Sequence, residues 1–308
     1  MNPLKKITIA LGICATAFAT AATAAVNIVT TTTDLGTIAR AIGETHVTVT
    51  TLARSGEDPH FVDARPSFLR ILNRADLLVE GGADLESGWL PPLVNNARNP
   101  KILRGAPGHF SAASAGIPLL NVPAILDRSQ GDVHPSGNPH FLTDPGNAVR
   151  VANSLAKKLA QIDPTNAAAY LHRADQFQAK IKQKTVEWKR RLAPLRGTQV
   201  VTYHESYDYF LAAFDLKLAG TIEPKPGVEP SAAHLIALIN HIKTAKVKLI
   251  LAEPNRPSRP CERITSQTDA KLLRLPLMPS PSQDYIAFIE GNISALETSP
   301  SRPPKKPE

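Results

Sequence analysis

Short β-branched runs alternate with helical patterns along most of this chain. Val26–Thr30 predicts a strand, followed by a helix over about Asp34–Ile42 and a second strand over His46–Leu52. Pro66–Asn73 predicts a helix whose proline suits the first turn, and Leu77–Glu80 a strand ended by Gly81-Gly82. The theme returns with strand Gln199–Tyr203 and helix Tyr207–Phe214, then a helix capped by Ser231 that runs to about Lys243. Strand Val247–Ala252, helix Glu262–Thr268, strand Lys271–Leu275 and a closing helix Gln283–Leu296 complete the second half. Strands that alternate with helices predict mainly parallel sheets and an α/β fold.

A different pattern lies between the halves. Thr165–Leu192 contains no Pro or Gly, and Tyr170, Phe177, Ile181 and Trp188 recur at roughly helical spacing. Asp163-Pro164 marks its start, and Pro194 with Gly197 its end. A helix of this length runs about 42 Å, which suits a rigid strut between two lobes. The expected organisation is an N-terminal α/β lobe over 26–164, a linking helix over 165–192 and a C-terminal α/β lobe over 193–297.

The ends read as something other than fold. Lys5 and Lys6 precede an apolar stretch, Ile7 to Phe18, too short to span a bilayer, and Ala22-Thr23-Ala24 offers a small-x-small cleavage pattern. Residues 1–25 are therefore expected to be a secretory signal peptide, cut after Ala24 or Ala25, which predicts a periplasmic protein. Ile13 stands where lipidation of Cys14 would need a small residue, so a lipid anchor is not expected. The Pro-, Ser- and charge-rich tail from Thr298 to Glu308 is expected to be disordered.

Composition narrows the function. Cys261 is the one cysteine left after cleavage, so no internal disulfide can form. The formal charge of +8 falls to +6 without Lys5 and Lys6, and it is spread along the chain. The longest basic group, Lys189-Arg190-Arg191, sits near Glu187 in the helical stretch, and no basic patch carries interleaved aromatics, which argues against nucleic-acid binding.

Three histidines stand out. His60 in Glu57-Asp58-Pro59-His60, His140 in Asn138-Pro139-His140-Phe141 and His204 in Thr202-Tyr203-His204-Glu205 each occupy a turn near the end of an apolar run. Proline before His60 and His140 stiffens the turn and lowers the entropy lost in fixing a ligand. Ligands of open α/β sheets bind beyond the carboxyl ends of strands, so two lobes could aim all three imidazoles into one cleft. Three converging imidazoles make a metal site, and neutral nitrogen donors favour zinc over manganese, with copper also compatible.

Several segments, in order, resemble the zinc/manganese solute-binding proteins of ABC transporters. They are Glu57-Asp58-Pro59-His60, Asn138 to Pro145, Tyr203 to Phe210, Glu223-Pro224-Lys225-Pro226-Gly227, Leu251-Ala252-Glu253-Pro254 and Asp284-Tyr285. The resemblance spans about Val26 to Leu296. It implies two (β/α) lobes joined by one long helix, a metal held between them by His60, His140 and His204, and delivery to an inner-membrane ABC permease by a monomeric, non-enzymatic protein. Many relatives add an aspartate after the last core strand, but Leu275-Pro276-Leu277-Met278-Pro279-Ser280 holds no acid. The fourth ligand is left to Glu253, Glu223 or water, and Glu253 is equally readable as a carboxylate that orients a histidine.

Other residues read more simply. His134, in a Gly-containing loop six residues before His140, is expected to be solvated, with a transient-ligand role as the sharper alternative. His234 and His241 read as an exposed helix face, and His46, His109 and His172 carry no functional signal. Trp89 and Trp188 read as packing residues, Asp144 as a helix cap or turn residue, and Cys261 as an inert thiol. Two rival readings are an exported zinc hydrolase, for which no HExxH pair is present, and an adhesin on the same scaffold.

Overall fold

The computed structural model describes residues 25–123 and 134–299. The expected signal peptide up to Ala24, including Cys14, and the tail beyond Ser299 lie outside the described residues.

Two four-stranded sheets repeat one topology. In the first half, β1 (Val26–Thr30), β2 (Val47–Thr51), β3 (Leu77–Glu80) and β4 (His109–Ser111) line up in the order β2-β1-β3-β4, and every pairing is parallel. In the second half, β5 (Gln199–Thr202), β6 (Lys217–Thr221), β7 (Leu249–Ala252) and β8 (Lys271–Arg274) take the order β6-β5-β7-β8, again parallel throughout. The chain is an α/β protein of two lobes, as the alternating pattern predicts. β3 and β7 are buried along their whole length, which explains their unbroken apolar runs in a sheet covered on both faces.

The first lobe carries α1 (Thr33–Gly43), α2 (Pro66–Asn73) and α3 (Leu90–Asn96), and the second α6 (Asp208–Ala213), α7 (Ala232–Ala245) and α8 (Ser258–Thr265). Pro66 begins α2, and the Ser231 hydroxyl accepts the His234 amide to cap α7. Between the sheets run α4 (Pro145–Ile162) and α5 (Ala167–Leu192), and α9 (Tyr285–Glu297) closes the fold. The Asp144 side chain accepts the Gly146 amide and caps α4, a helix the sequence reading passed over.

The long helix starts two residues later than expected, because Pro164–Asn166 forms a tight 3-10 turn before it. It is also more than a strut. Tyr170, Ala174, Phe177, Ile181, Trp188 and Leu192 make a buried stripe against α1, α4 and α9. The Trp188 indole donates to Glu290 (2.9 Å), and Arg191 pairs with Glu290 and Glu297, which fastens α5 to α9. One hydrophobic core therefore runs from Ile28 and Leu77 through Trp188 and Phe288 to Leu249 and Leu251.

Candidate metal centre

Each histidine of the trio sits on a loop that its own neighbours hold rigid. The Asp58 carboxylate accepts both the backbone amide of His60 (3.0 Å) and its Nδ1 (2.7 Å), and the Trp89 indole holds the Pro59 carbonyl at 3.0 Å. The Asn138 side chain accepts the His140 amide (2.9 Å) and donates to the Glu205 carbonyl (2.7 Å). Thr143 caps the His140 carbonyl at 2.9 Å. His204 lies two residues past the end of β5, and its Nδ1 is 2.7 Å from Glu223 Oε2 on the loop after β6.

The fold brings the three together. One ring nitrogen from each of His60, His140 and His204 falls within 4.8 Å of the others. Ring centroids are 5.0 Å apart for His60 and His140, 5.7 Å for His60 and His204, and 5.4 Å for His140 and His204. Nδ1 of His60 and of His204 is committed to a carboxylate, so Nε2 of each is left for the centre. Nε2 of His140 is buried and has no hydrogen-bond partner among the described residues. An orphaned imidazole nitrogen facing two others fits a shared cation better than any internal hydrogen bond.

His134 joins the cluster, contrary to the expectation of a solvated loop residue. It is half-buried, and its Nε2 lies 3.1 Å from His60 Nε2. Tetrahedral zinc, with Zn–N bonds of 2.0–2.1 Å, separates its donor nitrogens by about 3.3 Å. Burial, with His60 and His204 close by, holds the His134 imidazole down at about 4. Burial and the same neighbours depress His140 well below the ordinary histidine range. Both rings are therefore held toward the unprotonated form that a metal ligand needs.

The carboxylates take supporting places. Glu253 is buried, accepts the Ser206 hydroxyl through Oε1, and stands 3.6 Å from Arg256 Nε through Oε2. It is absent from the set of ligand atoms that converge within 4.8 Å, and Glu223 serves His204 through Nδ1. Burial works to raise Asp58, but the His60 hydrogen bond and the His60 and Arg256 charges win, so it titrates below the usual carboxylate range. Pro276, Leu277 and Met278, from the stretch that holds no acid, line a cavity of about 40 Å³ beside His60, His140 and Glu253. A wider opening of about 250 Å³ reaches His134, His140 and His204 between Asn121 and the Pro224-Lys225-Pro226 loop.

The remaining candidates have structural partners. His234 reaches the Thr221 carbonyl (3.0 Å), His109 pairs with Glu80 (3.2 Å), and His46 packs edge-on to Tyr170. Cys261 is buried, and burial pushes its thiol up, which makes it inert. Sequence reasoning missed Arg256 and the orienting role of Asp58. The one signal for the latter was an acid two residues before a histidine, which is the reach of an Asx turn.

A two-lobed, parallel-stranded protein with a histidine cluster at the strand ends between its lobes is a solute-binding protein in architecture. The model of the ZnuA family, described as zinc-uptake complex component A, periplasmic, matches residues 28–299, and the chain belongs to that family. It is thereby a substrate-binding component of metal ABC transport and not an enzyme. A metal ABC transporter substrate-binding lipoprotein of Lactococcus lactis subsp. lactis is 23% identical over 248 residues, covering 79% of this chain and 76% of its own length. The high-affinity zinc uptake protein ZnuA of Brucella abortus is 30% identical over 132 residues, 43% of this chain and 40% of its own. A crystal structure of a zinc-bound ZnuA deletion mutant superposes with a TM-score of 0.76 at 25% identity, covering 91% of this chain and all of that one. A manganese-bound point mutant of a periplasmic metal binding protein from Candidatus Liberibacter asiaticus gives a TM-score of 0.73 at 22% identity, covering 88% of this chain and 98% of that one, which is a likeness of fold.

Proposed function

We propose that this chain captures zinc outside the inner membrane and hands it to an ABC permease, and that His60, His140 and His204 are its ligands. The observation that carries the reading is the buried, unpartnered Nε2 of His140 facing two imidazoles whose other nitrogens are held by Asp58 and Glu223. Carboxylate-backed histidines are the usual way a protein fixes the tautomer and raises the basicity of a metal ligand. His134 is the candidate for the fourth position in this reading: like Glu253 it lies outside the set of atoms that converge within 4.8 Å, but its Nε2 stands at nearly the tetrahedral donor spacing from His60 Nε2. An all-imidazole set favours zinc, since manganese prefers oxygen donors.

Export by a cleavable signal peptide ending near Ala24 or Ala25, and a monomeric state, belong to the same proposal. The test is a titration of the mature, metal-stripped chain with zinc, manganese and copper. One equivalent of zinc bound in preference to manganese supports the reading, and no zinc binding ends it.

A further inference from the structure

The metal histidines of the two lobes are joined by a single side chain. Arg256 lies on the loop after β7. Arg274 of β8 fixes that loop by donating to the carbonyls of Glu253 (2.6 Å) and Arg256 (3.1 Å) and to the Ser258 hydroxyl (2.9 Å). The Arg256 guanidinium sits over the Tyr203 ring, 5.7 Å from its centroid, and is 15% exposed. Its Nη1 is 3.5 Å from Asp58 Oδ2 in the first lobe and 3.3 Å from Glu223 Oε1 in the second. Its Nε faces Glu253 Oε2 at 3.6 Å.

The division of labour among the oxygens is the informative part. Asp58 uses Oδ1 on the His60 imidazole and turns Oδ2 to Arg256. Glu223 uses Oε2 on the His204 imidazole and turns Oε1 to Arg256. The result is one chain across the cleft: His60, Asp58, Arg256, Glu223, His204. Nη1 carries two N–H groups and so can serve both carboxylates at once, while Nε of the same rigid guanidinium faces Glu253, an arrangement that a lysine ammonium on a flexible stem holds less firmly. A partly buried ion network of this kind acts as a unit, so losing the shared member releases both ends.

We propose that Arg256 is a positioning residue of the metal centre, clamping the carboxylate that orients His60 in one lobe to the carboxylate that orients His204 in the other. This rests on the metal-centre reading above. The clamp makes the placement of the two histidines a joint property, so the two imidazoles are fixed relative to each other only while Arg256 engages both acids. Loss of the clamp lets each histidine reorient with its own lobe, which speeds metal release without removing a ligand.

The experiment measures zinc affinity by competition with a chromophoric chelator and release by stopped flow. The proteins are wild type, Arg256→Met, Arg256→Lys, Asp58→Asn and the Asp58→Asn/Arg256→Met double variant. The expected result is one zinc per chain in every case, with affinity weakened about 10–100-fold in Arg256→Met, as for loss of a partner that orients a ligand. Faster release accounts for the change, and Arg256→Lys recovers part of it. The double variant loses less than the sum of the single changes, because both act through one chain. Arg256→Met affinity within about twofold of wild type, or strict additivity in the double variant, overturns the clamp. So does a lowered melting temperature with unchanged zinc affinity, which is what a purely structural arginine gives. If Arg256→Met does not fold, Arg256→Lys decides: weakened binding supports the clamp and wild-type affinity overturns it. Failure of wild type itself to bind zinc sinks the metal-centre reading, whereas normal wild-type binding with unaffected variants sinks the clamp alone.

Discussion

Glu223 Oε2 stands 2.7 Å from His204 Nδ1, and both residues are buried. The contact fixes which nitrogen of His204 faces the other imidazoles. Glu223→Gln is expected to keep one zinc per chain while weakening affinity about 10–100-fold. Competition with a chelator of known affinity measures this, and an unchanged constant removes the orienting role.

Single changes of His60, His140 or His204 to alanine delete one donor each. Every one is expected to cost more than the loss of an orienting carboxylate, so more than about 10–100-fold in zinc affinity. Isothermal titration reads it. A variant that retained wild-type affinity would remove its histidine from the ligand set.

His134→Ala separates a fourth ligand from a bystander. With His134 as ligand, the variant still binds one metal but releases it faster, and the visible spectrum of its cobalt form changes as an oxygen replaces a nitrogen. Identical cobalt spectra in wild type and variant would place His134 outside the coordination sphere.

Glu86 offers a pH test away from the metal. It is buried and accepts from the Thr31 hydroxyl (2.6 Å) and the Gly81 and Gly82 amides. Burial, opposed by the Thr31 hydrogen bond and helped by the Glu80 charge, raises it from 4.5 to about 7. The fold thus favours the protonated form. Its contribution to stability is full below the unfolded value near 4.5 and is lost as pH rises through about 7. The loss amounts to about 3 kcal/mol. Melting curves of wild type and Glu86→Gln between pH 4.5 and 8 should converge or cross as pH rises, with wild type losing ground. Parallel profiles would refute the shift.

The alternation of strands and helices was legible because Val26–Thr30, Leu77–Glu80 and Val247–Ala252 are β-branched or apolar runs bounded by polar turns. β6 was not: Lys217–Thr221 is half-exposed, with a Gly220 at φ 157° and a register shift where it meets β5, so its side chains show no clean alternation. α8 begins at Ser258, four residues earlier than expected, since Pro260 fits the first turn of a helix. The three histidines were visible through their Pro-His turns and apolar neighbours. Their supports were not, because Glu223 meets His204 across 19 residues and Arg256 meets Asp58 across both lobes, separations that no local pattern encodes.

The shared core through α5 and α9 has a consequence for how cargo leaves. Prising the halves apart would wet Trp188, Tyr285 and Phe288, aromatic side chains that each hide on the order of 150–250 Å². Gaping open is therefore the costly route, and with His134 as the proposed fourth ligand, loosening that one imidazole is the cheap one. A membrane partner need only tug at the surface loops around the opening, and the body of the carrier can return to the next ion already folded.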